Sequence, residues 1–236
     1  MSALRPLVDG ITLLLGRLKQ YQRIALTRIS KPVKINIGCG LTIVPGWVNI
    51  DGSLNTLFAT WPRFLHKLCY SFSGSRRYYS RKEYCRLLRK NTFVHHDLSY
   101  GLPFADGVVD FAYSSHFVEH LFRKDAVRLF REIYRVLKPG GVVRISVPDL
   151  EYAIALYQSG DKEKMLSSYF FVEDDNSYYA RHKFMYDFEM LAKALRSEGF
   201  QDVRRCHFQE GCVPNLAILD NQPDESLFVE AIKTKD

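Results

Sequence analysis

Two periods of apolar residues run along this chain. Short apolar or β-branched runs recur at 33–37, 47–51, 92–95, 108–114, 142–147, 203–208 and 227–233, each the length of a strand. Between them the spacing turns helical. Ala126, Leu129, Phe130, Ile133 and Leu137 fall on one face of a helix over 125–137, with Asp125 as its cap and Lys138-Pro139-Gly140-Gly141 as its stop. Asp187 caps a second helix over 188–198, which Gly199 ends. Leu7, Ile11, Leu14, Leu15, Leu18, Tyr21 and Ala25 predict one long helix over 5–29. Residues 61–68 and 80–90 also read as helices, joined by a flexible Ser71-Phe72-Ser73-Gly74-Ser75. A shorter helix is expected around 117–121. Residues 150–185 are irregular and aromatic-rich, the composition of a lid.

Strands alternating with helices predict an α/β fold: a Rossmann-like, seven-stranded, mostly parallel sheet with helices on both faces. The expected organisation is an N-terminal amphipathic cap over 1–32. A single domain over 33–236 follows, with an insert at 53–91 and a lid at 151–186. At 236 residues the core is large enough to fold alone. No repeat or low-complexity tract interrupts it.

Ligands of such sheets sit at the carboxyl ends of the strands. Lys34-Ile35-Asn36-Ile37-Gly38-Cys39-Gly40 runs from a strand into a glycine turn, and Asp51 ends the next strand. Glycines allow close approach of a ligand to the backbone, and a carboxylate at the neighbouring tip accepts from two adjacent hydroxyls. That pairing suits a ribose-bearing ligand. Asp97 and Ser114 to His116 fall at further strand ends.

The net charge of +7 is unevenly placed. Residues 1–34 carry Arg5, Arg17, Lys19, Arg23, Arg28, Lys31 and Lys34 against Asp9, a balance of +6. Residues 53–92 carry Arg63, Lys67, Arg76, Arg77, Arg81, Lys82, Arg86, Arg89 and Lys90 against Glu83, a balance of +8, which leaves the rest at −7. Such fields attract phosphates, nucleic acid or anionic lipid when they are more than a solvated face. Cys39, Cys69, Cys85, Cys206 and Cys212 are odd in number and form no CxxC pair, so a reducing cytoplasm is expected and a disulfide framework is not. The apolar core Ile11 to Leu15 is too short for a signal peptide, and no run reaches the roughly 18 apolar residues of a membrane span.

In this order, Ile37-Gly38-Cys39-Gly40, Gly46-Trp47-Val48-Asn49-Ile50-Asp51, Asp97-Leu98, Leu102-Pro103-Phe104, Asp110-Phe111, Ser115-His116-Phe117-Val118-Glu119-His120-Leu121 and Leu137-Lys138-Pro139-Gly140-Gly141 resemble the class I S-adenosylmethionine (SAM)-dependent methyltransferases. The nearest likeness is to the bacterial type-11 group acting on small molecules and sugars. It covers roughly residues 33–150 and, weakly, 182–233. The resemblance implies SAM as cofactor, with Asn36, Gly38, Cys39, Gly40, Asp51, Asp97, Leu98, Ser114 and Ser115 around it. Asp51 would take the ribose hydroxyls and Asp97 the adenine amino group. Two departures stand out. Only Leu41 to Gly46 separate the glycine turn from the acidic strand, too few for the usual helix, and no third glycine follows Gly40.

His116, His182, Tyr186 and Asp149 are the candidate catalytic or acceptor-contacting residues. For Asp149, capping of the following helix competes; for His182, tethering of the lid. His116-Phe117-Val118-Glu119-His120 matches H-x-x-E-H, but no third ligand is evident in the sequence, and no metal is expected. The aromatics Tyr152, Tyr157, Tyr169, Phe170, Phe171, Tyr178 and Tyr179 serve either as core or as a cation–π enclosure for a sulfonium, and Phe170 and Phe171 beside Glu173-Asp174-Asp175 resemble a flap.

The expected activity is metal-independent methyl transfer to an oxygen or nitrogen of a small acceptor. The basic insert favours an anionic or sugar-type acceptor, with anionic lipid or a phosphate-bearing substrate engaged through residues 63–90. One alternative is SAM consumption without methyl transfer, by a lyase, cyclase or aminopropyl transferase that releases methylthioadenosine. Another is an RNA methyltransferase, although no RNA-binding module is visible and nucleic acid is not the expected partner. A last alternative is a membrane-associated scaffold with peripheral attachment through the N-terminal helix.

Overall fold

The computed structural model describes residues 5–40, 42–170 and 181–234. Its centre is one seven-stranded sheet in the order β3-β2-β1-β4-β5-β7-β6. The strands are β1 (Lys34–Ile37), β2 (Val48–Asp51), β3 (Thr92–His95), β4 (Val109–Ser115), β5 (Leu137–Pro148), β6 (Gln201–Cys206) and β7 (Ser226–Ile232). The first five pair in parallel, and β7 runs antiparallel between β5 and β6. The register sets Ile37 beside both Ile50 and Ser114, and Asp51 beside His95. The ends of β1, β2, β3 and β4 therefore form one rim.

One face of the sheet is aliphatic and carries the main core, while the other holds buried Asn36, Asn49, Arg144 and Ser146 beside Trp47 and Tyr113. Ile35, Ile37, Ile50, Val143, Ile145 and Val147 are all buried. Helix α5 (Arg123–Val136) contributes Ala126, Leu129, Phe130 and Ile133 to this core, and α8 (Phe188–Ser197) contributes Leu191, Ala192 and Leu195. Asp187 caps α8 through the Met190 amide at 2.7 Å.

Several expectations change, among them the insert's helix over 61–68, which is a 3₁₀ turn over Arg63–Leu65 followed by a helix over His66–Phe72. Helix α1 (Arg5–Lys19) stops ten residues short of the predicted end. Beyond it the chain must feed Ile24, Leu26 and Ile29 onto the core, with the Ile24 amide bonded to the Pro103 carbonyl at 2.7 Å, and a continuing helix could not do so. Residues 117–121 form a single 3₁₀ turn, Val118–His120, rather than an α-helix. Much of the expected irregular stretch is helical: α6 (Leu150–Gln158), α7 (Lys162–Met165) and a π-turn over Leu166–Phe170. Tyr169 is core there, while Tyr157 and Phe170 are exposed. The flap residues Phe171, Glu173, Asp174 and Asp175, with Tyr178 and Tyr179, lie outside the described residues.

The basic insert holds α2 (Leu54–Ala59), α3 (His66–Phe72) and α4 (Arg81–Lys90) around a small core of its own, Tyr84, Cys85 and Leu88. A capping box starts α4: the Ser80 hydroxyl accepts from the Glu83 amide, and the Glu83 carboxylate accepts from the Ser80 amide. A last helix, α9 (Leu216–Leu219), precedes β7. Among the described residues, no helix is long and apolar enough to cross a membrane.

Candidate active site at the strand ends

The glycine turn after β1 takes the form its sequence requires. Gly38 and Gly40 both have left-handed backbone, with φ of 65° and 50°. A Cβ at Gly38 would stand 2.2 Å from Cγ of Phe117, whereas one at Gly40 would meet open space. The turn is closed by the Gly40 amide, which donates to Asp51 at 3.0 Å, and Asp51 also accepts from the Ser53 amide at 2.6 Å. Side-chain anchors thus hold the turn, with no helix between it and β2 among the described residues.

Asn36 is one of those anchors. It is buried and donates its amide to the Thr42 carbonyl at 2.8 Å and to Asn49 Oδ1 at 3.1 Å. Its side chain holds the loop from beneath. Cys39 is also turned inward. Burial, and next the charge of Asp51, push its thiol well above the ordinary range. Leu98 is a core side chain. Asp97 caps the turn after β3, accepting from the Ser99 amide at 3.0 Å and its hydroxyl at 2.7 Å. Its other oxygen faces α1: a Cβ on Gly16 would approach Asp97 Oδ2 to 2.6 Å. Lys19 Nζ lies 3.2 Å from His95 Nδ1, so the end of α1 roofs this corner.

Ser114 and Ser115 end β4. Ser114 Oγ is buried and, among the described residues, has no hydrogen-bond partner, as is also true of His96 Nδ1. Ser115 donates to Asn221 Oδ1 at 3.2 Å. A left-handed Gly40 open to solvent, two carboxylates and these orphaned polar atoms fit a ligand rich in hydroxyl, amine and ring donors.

The polar cluster continues directly past β4. His116 has a left-handed backbone, φ 46°, uncommon for a residue with a side chain. Its Nε2 lies 2.9 Å from the Ser226 hydroxyl, and its Nδ1 lies 3.5 Å from Glu119 Oε1. His120 Nε2 is 3.8 Å from the same carboxylate oxygen. The His120 and His182 rings stand 5.0 Å apart. Burial lowers the pKa of His120, outweighing the opposing pull of Glu119. Sequence reasoning passed over Glu119 as a site residue; its place one turn after a histidine at a strand end is the signal that could have found it.

The remaining candidates have structural surroundings of their own. Asp149 caps α6 through the Glu151 amide at 3.0 Å and pairs with Arg205 at 2.5 Å, which gives its carboxylate a structural occupation. Tyr186 is buried in the core with its ring against Phe184, and burial raises its hydroxyl to about 12. That hydroxyl is an orphaned polar atom among the described residues.

A second feature lies on the insert. Lys67, Arg81, Lys82, Arg86, Arg89 and Lys90, with Cys85 at the base, line an open hollow of about 470 Å³ that contains no acid. Exposed Trp61, Phe64, Leu68 and Tyr78 belong to the same insert.

A family model described as a methyltransferase domain matches residues 52–145, starting just after Asp51. No curated protein matches the chain. Among solved structures, a SAM-dependent methyltransferase from Archaeoglobus fulgidus is 18% identical with a TM-score of 0.50, over 96% of this chain and 94% of that one. A SAM-dependent methyltransferase from Thermotoga maritima is 18% identical with a TM-score of 0.46, over 99% and 98% of the two chains. A phosphoethanolamine N-methyltransferase from Haemonchus contortus in complex with SAM is 16% identical with a TM-score of 0.47, over 95% of this chain and 52% of that one.

Proposed function

We propose that this chain, a class I SAM-dependent methyltransferase, transfers the methyl group to an oxygen or nitrogen of a phosphate-bearing acceptor. The observation that carries the choice of acceptor is the six-cation hollow of the insert. Six like charges around one concavity repel each other unless an anion enters it, and guanidinium groups suit phosphate oxygens. Outside the insert and the basic residues 1–34 the chain carries −7, so the positive field belongs to these two segments.

When bound, SAM supplies a methyl group on a sulfonium, already activated for displacement. Gly38, Gly40, Asp51, Asp97, Leu98, Ser114 and Ser115 would hold it, with Asn36 and Cys39 supporting the loop from below. Residues 1–32 act as a cap on the 33–236 domain. The residues past β4 then have two tasks, to align the acceptor and to remove its proton. His116 is our choice of base. Its Nδ1 faces Glu119 and its Nε2 faces the Ser226 hydroxyl, an arrangement that fixes the ring, with the acceptor's proton passing to Ser226 Oγ as that hydroxyl gives its own proton to Nε2. Tyr186 and Asp149 act in positioning, and His182 contacts the acceptor side.

The first test is mass spectrometry of SAM incubated with the protein, with and without phosphorylated sugars and anionic lipids. Methylated product and S-adenosylhomocysteine are expected. Methylthioadenosine formed without acceptor, and absent in Asp51→Ala, would replace the reading with a lyase or cyclase. Reversing Arg81, Lys82, Arg86 and Arg89 to Glu should raise KM for the acceptor at least about tenfold and flatten its salt dependence. Unchanged kinetics would dismiss the phosphate reading.

A further inference from the structure

We propose that Glu119, His120 and His182 form a binding site for a divalent transition-metal ion. One ligand atom from each lies within 4.8 Å of the other two. Two donors about 2.1 Å from a tetrahedral ion stand about 3.4 Å apart, close to the 3.8 Å between His120 Nε2 and Glu119 Oε1. Small side-chain rotations would bring all three to one ion.

Hydrogen bonding on the far side of each ring makes the case stronger. His120 Nδ1 lies 3.3 Å from the Arg181 carbonyl, and His182 Nδ1 lies 2.7 Å from the Tyr169 carbonyl. A carbonyl only accepts, so each Nδ1 carries the proton and each Nε2 keeps a lone pair. Imidazoles held in this way are the usual form of metal-bound histidine. Glu119 is 1% exposed, and neither carboxylate oxygen has a hydrogen-bond partner among the described residues. His116 Nδ1 lies 3.5 Å and His120 Nε2 3.8 Å from Glu119 Oε1. With His116 Nδ1 no nearer than 3.5 Å, two imidazoles and a buried carboxylate brought together in this way suit a cation between them.

The ligand set of two imidazoles and one carboxylate suits zinc, iron or manganese over calcium or magnesium. Three protein ligands leave a position for water or an acceptor oxygen beside the end of β4. The ion would also tie the segment entering α8 to the turn after β4, supplementing the bonds from the Lys183 and Phe184 amides to the Glu119 carbonyl.

The probe is the metal alone, and the readout does not depend on methyl transfer. The tag-free protein is stripped with chelator, dialysed and titrated with cobalt(II), following visible absorption, and zinc is then added in competition. One equivalent per chain is expected, and zinc should raise the melting temperature. His182→Gln should weaken affinity by about 10- to 100-fold or more, while His207→Gln, at an exposed histidine, should not. Should Glu119→Gln fail to fold, the half-buried His182 carries the comparison. Absence of stoichiometric binding, or equal affinity in His182→Gln, would overturn the site. Failure of the phosphate test alone would leave it standing.

Discussion

The two glycines of the first turn differ in their duties although their backbones are alike. Alanine at either position must adopt a left-handed conformation, at about 1–2 kcal/mol. At Gly38 it would also meet the Phe117 ring, while at Gly40 it would project into open space. Gly38→Ala should therefore lower unfolding stability several-fold more than Gly40→Ala in urea titrations. Gly40→Ala should instead weaken SAM binding, read by calorimetry, with a small loss of stability. Equal losses in both variants would contradict the geometry. The sequence announced this turn, yet it could not tell which neighbours face the ligand. In a strand covered on both faces, Asn36 is as buried as Ile35 and Ile37, so alternation carries no direction. The inward thiol of Cys39 was hidden for the same reason.

Helix α1 shows how an element can be predicted in kind and misjudged in extent. Its apolar spacing is real, but Leu14 and Leu18 are exposed, and contact with the site is made through Gly16. Its end is set by the need to bring Ile24, Leu26 and Ile29 to the core, a tertiary demand that periodicity does not record. A side chain at Gly16 must push the helix off Asp97. Gly16→Leu should speed proteolysis near residue 20 and weaken SAM binding at least about threefold, with the core's hydrogen-exchange protection unchanged. If binding is unaffected, α1 is not part of the cofactor's surroundings. Helix α8 was legible almost to the residue, because the Asp187 cap and the Gly199 stop are local signals, whereas α5 starts two residues before its expected cap, behind Phe122, and its expected stop lies in β5.

At the scale of the molecule, seven strands and their carboxyl-end site followed from period and order. Long-range polar pairings did not. Arg144, buried in the middle of β5, is neutralised by Asp220 at 2.6 Å, 76 residues away, and nothing near either residue reveals the other. The approach of Lys19 to His95, also 76 residues apart, belongs to the same class, and His96 is buried beside it. Burial lowers both histidine pKa values below the ordinary 6.5, and for His95 the charge of Lys19 adds to the effect. Above about pH 6.5 both folded and unfolded chains hold them neutral. Below it the unfolded chain binds protons that the folded chain refuses, so stability is lost as pH falls. The melting temperature should drop by a few degrees between about pH 7.5 and about pH 5.5, and His96→Gln should flatten that slope. A slope unchanged by the substitution would locate the acid sensitivity elsewhere.

The insert's helices pack at the β3 edge of the sheet, carrying +8 on a molecule whose remainder apart from the N-terminal segment is −7. Separated charge of this kind is a permanent electric dipole. An anionic surface exerts a torque on a dipole before it makes any contact, over about the 8–10 Å that salt allows. The molecule would thus turn as it approaches, so that its first collision is already made insert-first, and orientation would be decided during diffusion.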